Sequence, residues 1–248
     1  MKLKERIQQG DQVFGSLLSL PSPEVADVMS RIGFDWLFFD LEHSVIDYSQ
    51  AQRMLQAVGD RCPVLIRVSE LSEASIKKAL DIGSAGVIIP KVNSAQETKN
   101  TVRYAKYRPL GDRGVGAARA HGYGIDFQEY IQNANDETLV VVQIEHIEGV
   151  NNIEEIVKVE GVDVIFIGPY DLSASLGFPG QVDHPDVLKA ISRVEEVTRK
   201  SGLALGYFGM TPESVKTAVE NGYQLITCGT DTGAIIGHMS TILKELKN

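Results

Sequence analysis

Gly33-Phe34-Asp35-Trp36-Leu37-Phe38-Phe39-Asp40-Leu41-Glu42-His43 contains one complete joint of a repeating fold. A glycine, free to take the left-handed conformation, closes a helix. A short polar step follows, then an apolar run without polar alternation, as suits a strand covered on both faces. The run stops abruptly at Asp40, Glu42 and His43. The same joint returns at Val219-Glu220-Asn221-Gly222-Tyr223-Gln224, and Gly59, Gly83, Gly161 and Gly202 stand at corresponding places. Working outward, the pattern predicts eight strands, at residues 13–20, 36–41, 64–68, 86–90, 139–144, 164–167, 204–208 and 224–228. Helical patterns lie between them at 23–32, 48–58, 72–82, 95–107, 150–159, 185–200, 212–221 and 232–246. The first opens with Ser22 as N-cap and Pro23 at the first helical position.

Eight βα units in 248 residues fit one closed (β/α)8 TIM barrel spanning 1–248. An open doubly wound sheet would want a Gly-rich phosphate turn after its first strand, and Leu18-Ser19-Leu20-Pro21-Ser22-Pro23 is not one. One connection, residues 108–138, is too long for a simple loop and suggests a lid, an assembly surface or an added helix at 126–134.

Composition narrows the function. Hydrophobic residues make up 43% and charged residues 23%, an ordinary globular balance. The net charge of −9 argues against non-specific nucleic-acid or anionic-membrane binding. The polar N-terminus has no signal-peptide core, and no apolar run is long enough to span a bilayer. Cys62 and Cys228 form neither a disulfide framework nor a zinc pattern. These features lead us to expect a soluble cytoplasmic protein.

In such a barrel the chemistry sits where the strands end. Asp40, Glu42 and His43, then Arg67, Lys91, Gln143 with Glu145, and Asp171 emerge there from apolar runs. Glu145 and Asp171 lie about one βα repeat apart and should share a space. Two close carboxylates repel unless they share a proton or a cation; Mg²⁺ or Mn²⁺ suits an all-oxygen set, and salt bridges to Lys or Arg are the alternative. His43 can shuttle protons near neutral pH or simply face solvent. Asp81 could fix its tautomer or be a solvated helix-end acid. Arg67 could neutralise a developing enolate or pair with Glu42 or Glu70. Lys91 alone could form a Schiff base, but it follows Pro90 and should point outward. Gly229-Thr230-Asp231-Thr232-Gly233 stands where barrels hold phosphate, although Asp231 would repel it and a helix N-cap explains it equally well.

With these residues in view, the chain closely resembles the HpcH/HpaI family of metal-dependent 2-keto-3-deoxy acid aldolases, from Gly15 to about Gly233. The pieces that carry the resemblance are the opening stretch and Arg67, then Arg108-Pro109-Leu110-Gly111-Asp112-Arg113-Gly114-Val115-Gly116, Val142-Gln143-Ile144-Glu145, and Ile167-Gly168-Pro169-Tyr170-Asp171-Leu172-Ser173. The resemblance implies a pyruvate-type TIM barrel, usually a homo-oligomeric hexamer in which the last helix is exchanged between partners. It implies Glu145 and Asp171 as ligands of Mg²⁺, Mn²⁺ or Co²⁺, His43 as the catalytic histidine with Asp81 as its acidic partner, and Arg67 facing the keto oxygen. Gln143, Gly168, Pro169 and Tyr170 would bind substrate, with Asp40 near the pocket mouth. The implied reaction cleaves a 4-hydroxy-2-keto acid to pyruvate and an aldehyde through a metal-stabilised enolate. A related lyase, an oxaloacetate decarboxylase or a catalytically silent barrel subunit are the alternatives. Leu41, Lys91, His146 and Tyr170 depart from the family pattern around the pocket rim.

Overall fold

The computed structural model describes residues 1–247. The chain runs α1 (Leu3–Gln8), β1 (Val13–Leu18), α2 (Pro23–Ser30), β2 (Trp36–Asp40), α3 (Tyr48–Val58), β3 (Val64–Arg67), α4 (Glu73–Asp81), β4 (Gly86–Ile89) and α5 (Ala95–Ala105). It continues through α6 (Phe127–Glu137), β5 (Leu139–Ile144), α7 (Ile147–Asn151), α8 (Ile153–Ile156), β6 (Val164–Ile167), α9 (Pro169–Ser175), α10 (Pro185–Ser201), β7 (Ala204–Gly209), α11 (Pro212–Glu220), β8 (Leu225–Thr230) and α12 (Asp231–Lys247). Among the described residues the eight strands pair in sequence order, all parallel, and β8 returns to β1 to close the barrel. All eight expected strands are present, with no end shifted by more than two residues.

Strand periodicity then divides the core in two. Side chains alternate across each strand. Trp36, Phe38, Leu65, Val141, Val164, Phe166 and Leu225 point inward and fill the barrel. Leu37, Phe39, Ile66, Val140, Val142, Ile165 and Ile226 point outward against the helices. The interior aromatics need room: a Cβ on Gly206 would come within 2.4 Å of the Phe166 ring, so that position must be glycine.

Local chemistry sets the helix starts. Ser22 Oγ accepts from the Val25 N–H at 3.1 Å, with Pro23 at the first helical position. Asp47 accepts from the Gln50 N–H at 2.7 Å, and Gln50 accepts from the Asp47 N–H at 2.8 Å.

Three elements differ from the sequence expectation. The expected helix at 150–159 is two short pieces, α7 and α8, that meet at Asn152. Helices α1 and α9 were not foreseen. Each is under eight residues, too short to show a helical period. Helix α1 seals the end of the barrel where the strands begin, placing Leu3 and Ile7 in the interior cluster and Lys4 Nζ 2.9 Å from Asp163.

The 108–138 excursion lies at that same end and is no lid over the strand C-termini. It contains α6, as expected, and a 3₁₀ stretch at Arg119–Gly124. Arg113 pins it by donating to Asp81 at 2.8 Å and to the Tyr130 hydroxyl at 3.1 Å, while lying 4.7 Å from the Tyr107 ring centroid. Buried Lys106 donates to the Asn135 and Thr138 carbonyls at 2.6 and 2.8 Å.

Candidate active site

The alternation that fills the barrel also delivers the polar groups. One step beyond the inward residues Phe38, Leu65 and Val141 come Asp40, Arg67 and Gln143, and Gly168 follows Phe166 in the same way. Parallel register sets Asp40 directly beside Arg67. A cavity of about 370 Å³ opens over this layer, lined by Asp40, His43, Arg67, Gln143, Gly168, Pro169, Tyr170 and Asp171 and by an apolar wall.

Arg67 grips Asp40 with a fork: Nε donates to Oδ1 at 2.9 Å and Nη2 to Oδ2 at 2.8 Å. Asp40 is 2% exposed, so the expectation that it stands near the pocket mouth is corrected. It is the last residue of β2, buried beside Arg67. Burial pushes its carboxyl upward, but Arg67 and the N–H groups of Glu42 and His43 outweigh this and hold it below the ordinary carboxylate range. The fork leaves Arg67 Nη1 without a hydrogen bond among the described residues, and the Arg67 side chain lines the cavity.

Glu145 is also 2% exposed. Its Oε1 accepts from the Lys91 backbone N–H at 2.8 Å, and its Oε2 accepts from Gln143 Nε2. Lys91 reaches this position with a φ of 53°, a left-handed conformation rare for a side-chain-bearing residue. Burial, then the charges of Asp171 and Glu42, push the Glu145 carboxyl up to about 8. Asp171, half-buried, lines the cavity, and its charge acts on the buried Glu145 carboxyl. Gly168 lies against Gln143 and Glu145, where a Cβ would come within 2.6 Å of Gln143 Nε2 and 2.7 Å of Glu145 Oε2.

This donor set fits a divalent cation. It offers two hard oxygen ligands, repulsion that a cation would relieve, and a buried Gln143 Oε1 without a hydrogen-bond partner. Among the described residues no three His, Cys, Asp or Glu side chains form a ready cage, so the remaining positions would be open to water or substrate oxygens.

His43 lines the cavity, half exposed, with Nε2 3.7 Å from Glu42. The structure does not bring Asp81 to it. Asp81 ends α4 at the opposite end of the barrel and is held by Arg113, so the expected His43–Asp81 pair cannot form within one chain.

Glu42 was weighed in the sequence only as a salt-bridge partner. Its side chain is nearly buried, 3.4 Å from Arg67 Nε and 3.2 Å from Lys91 Nζ, and it adds to the charge felt by Glu145. Its burial was not legible because Glu42 is followed by polar residues, as a solvated turn would be. Lys91 points outward, as expected. Its ion pair with Glu42 holds the ammonium above its usual range, the reverse of what a Schiff-base lysine needs. His146 is an N-cap, accepting at Nδ1 from the Glu148 N–H at 3.2 Å. Asp231 fills the suspected phosphate position and accepts from the Ser19 and Leu20 N–H groups.

Comparison with known proteins shows the family. The family model for HpcH/HpaI aldolase/citrate lyase matches residues 14–237. The chain belongs to the HpcH/HpaI aldolase/citrate lyase family. It is 35% identical to a hydroxypyruvate/pyruvate aldolase of Paraburkholderia phytofirmans, over 99% of this chain and 97% of that protein. It is 37% identical to the 2-keto-3-deoxy-L-rhamnonate aldolase of Escherichia coli, over 92% of this chain and 86% of that protein. A solved HpcH/HpaI family structure from Burkholderia cenocepacia superposes with a TM-score of 0.95 at 32% identity, covering 99% of each chain. This HpcH/HpaI chain is thus an enzyme of the aldolase, carbon–carbon lyase class. Among the described residues no helix is long and apolar enough to cross a membrane.

Proposed function

We propose that this HpcH/HpaI enzyme is a divalent-metal-dependent, class II aldolase that cleaves a 4-hydroxy-2-keto acid reversibly to pyruvate and an aldehyde. One observation carries the reading: a buried Glu145 carboxylate, pushed up to about 8, set against Asp171. Glu145 and Asp171 would hold Mg²⁺, Mn²⁺ or Co²⁺. When bound, the cation would supply Lewis-acid stabilisation of negative charge on the substrate.

The chain's own residues do the rest. His43 takes the proton from the 4-hydroxyl at a ring nitrogen. The C3–C4 bond breaks, C4 leaves as the aldehyde carbonyl, and the electron pair passes toward the C2 oxygen. Arg67, held rigid by Asp40, offers Nη1 to that developing charge. Protonation at C3 then yields pyruvate. Gln143, Gly168, Pro169 and the Tyr170 backbone bound the space for the keto acid. The names of the two aldolase relatives support this class of substrate.

The proposal includes a cytoplasmic homo-oligomer, a hexamer by family likeness, in which α12 packs against another copy. An Asp81 carboxylate could then reach His43 only from a second chain.

The test is exchange of the pyruvate C3 hydrogens with D₂O, followed by NMR, which needs no knowledge of the aldehyde. Exchange is expected with Mg²⁺, Mn²⁺ or Co²⁺ and not in EDTA. Full exchange in EDTA, with borohydride trapping pyruvate on Lys91, would overturn the metal reading.

A further inference from the structure

The cavity is divided by polarity. Its polar side chains, Asp40, His43, Arg67, Gln143 and Asp171, lie on or just after β2, β3, β5 and β6. The facing wall is Leu17 from β1, Phe208 and Met210 from the end of β7, and Tyr170. The Tyr170 and Phe208 rings lie 6.0 Å apart at 59°, and the Tyr170 hydroxyl stands beside the backbone N–H of Met210. Met210 is 44% exposed, so this wall runs from the buried floor out to the mouth. The two nearby cations lie away from this wall, Arg67 in its fork with Asp40 and Lys91 in an ion pair with Glu42.

We infer that the aldehyde half of the substrate is a short apolar chain lying on Leu17, Tyr170, Phe208 and Met210. The inference rests on the aldolase reading above and narrows it. Methylenes gain on this wall by leaving water. Hydroxyls buried against it would lose their water partners and find few replacements. An anionic arm would find no unpaired cation there. The substrate would then differ from the polyhydroxylated acid named for the Escherichia coli relative.

The test is kcat/KM for metal-supported addition of pyruvate to acetaldehyde, propanal, butanal, glyceraldehyde and succinic semialdehyde, each corrected for its hydrated fraction. In this direction pyruvate C3 loses a proton and bonds to the aldehyde carbon, and the aldehyde oxygen gains a proton. The expected rise is about fourfold per methylene from acetaldehyde to butanal. Butanal should exceed glyceraldehyde by at least about tenfold. Phe208→Ser should cut that ratio by about fivefold or more, while Phe208→Leu, still apolar, should keep it within about twofold. The ratio cancels any loss of folded enzyme, so a poorly folding variant cannot mimic the effect. A flat aldehyde series, a preference for glyceraldehyde or succinic semialdehyde, or a ratio unmoved by Phe208→Ser would overturn the inference. If pyruvate hydrogens still exchange in that case, the enolate reading survives. Absence of exchange with all three metals would sink both.

Discussion

At the scale of single residues, the site is held together by charges that the barrel interior makes costly. Burial, then the charges of Asp171 and Glu42, push the Glu145 carboxyl up from 4.5 to about 8. Between those pH values the unfolded chain gives up a proton that the folded chain retains, so this group lowers stability as pH rises through the window. Glu145→Gln should therefore raise the Tm of metal-free protein at pH 8 by roughly 2–4 °C per kcal/mol relieved. Gln143 can flip its amide to suit the new neighbour. The same variant should be nearly neutral at pH 4 and should lose the Tm rise that Mn²⁺ gives the wild type. Thermal scans at both pH values check this; a lower Tm at pH 8 with the Mn²⁺ effect intact would count against it. Asp40→Ala strands the buried Arg67 charge and should cost about 3–5 kcal/mol in urea denaturation, with Arg67→Met in the same chain recovering much of the loss. A cost below about 1 kcal/mol would mean that Glu42 takes over the guanidinium.

At the scale of elements, the two ends of the barrel have separate duties. The strand C-termini carry the chemistry. The strand N-termini are plugged by α1 and the 108–138 excursion, fastened through Arg113, Lys106 and the Lys4–Asp163 pair. Ile7→Ala removes a side chain that is 3% exposed beneath the interior aromatics. It should cost about 2–4 kcal/mol by denaturant melt. Pyruvate exchange per folded molecule should stay the same, because Ile7 lies at the far end from the cavity. A stability change under about 0.5 kcal/mol would show that α1 is not part of the seal. The stops and starts of the longer helices were legible where they depend on local chemistry: a glycine at the turn, a serine or aspartate accepting from the first N–H groups. The pairing of Asp81 was not. A helix-end acid looks the same whether it faces solvent, an imidazole or, as here, Arg113.

At the scale of the whole molecule, α12 stands out. Its side chains after Asp231 are largely uncovered; Ile236 is 65% exposed, and Ile235, Met239, Leu243 and Leu246 are likewise open. A free apolar stripe of this kind marks an association surface. If α12 serves the proposed homo-oligomer, Ile236→Glu combined with Met239→Glu should reduce the mass seen by sedimentation velocity while leaving the circular dichroism spectrum unchanged. An unchanged mass would remove α12 from the interface.

The sequence alone determined the repeating βα joint, the number of strands and the rim on which polar residues gather. These follow from local rules: a glycine at a helix end, apolar runs of strand length, and abrupt polar stops. The tertiary structure decided the rest. Only closure of the barrel set Asp40 beside Arg67, pressed Glu42 toward Glu145, and carried Asp81 to the far end. Those placements depend on strand register and on which way each side chain faces across the sheet. They are relations between segments distant in the chain, and local chemistry does not encode them.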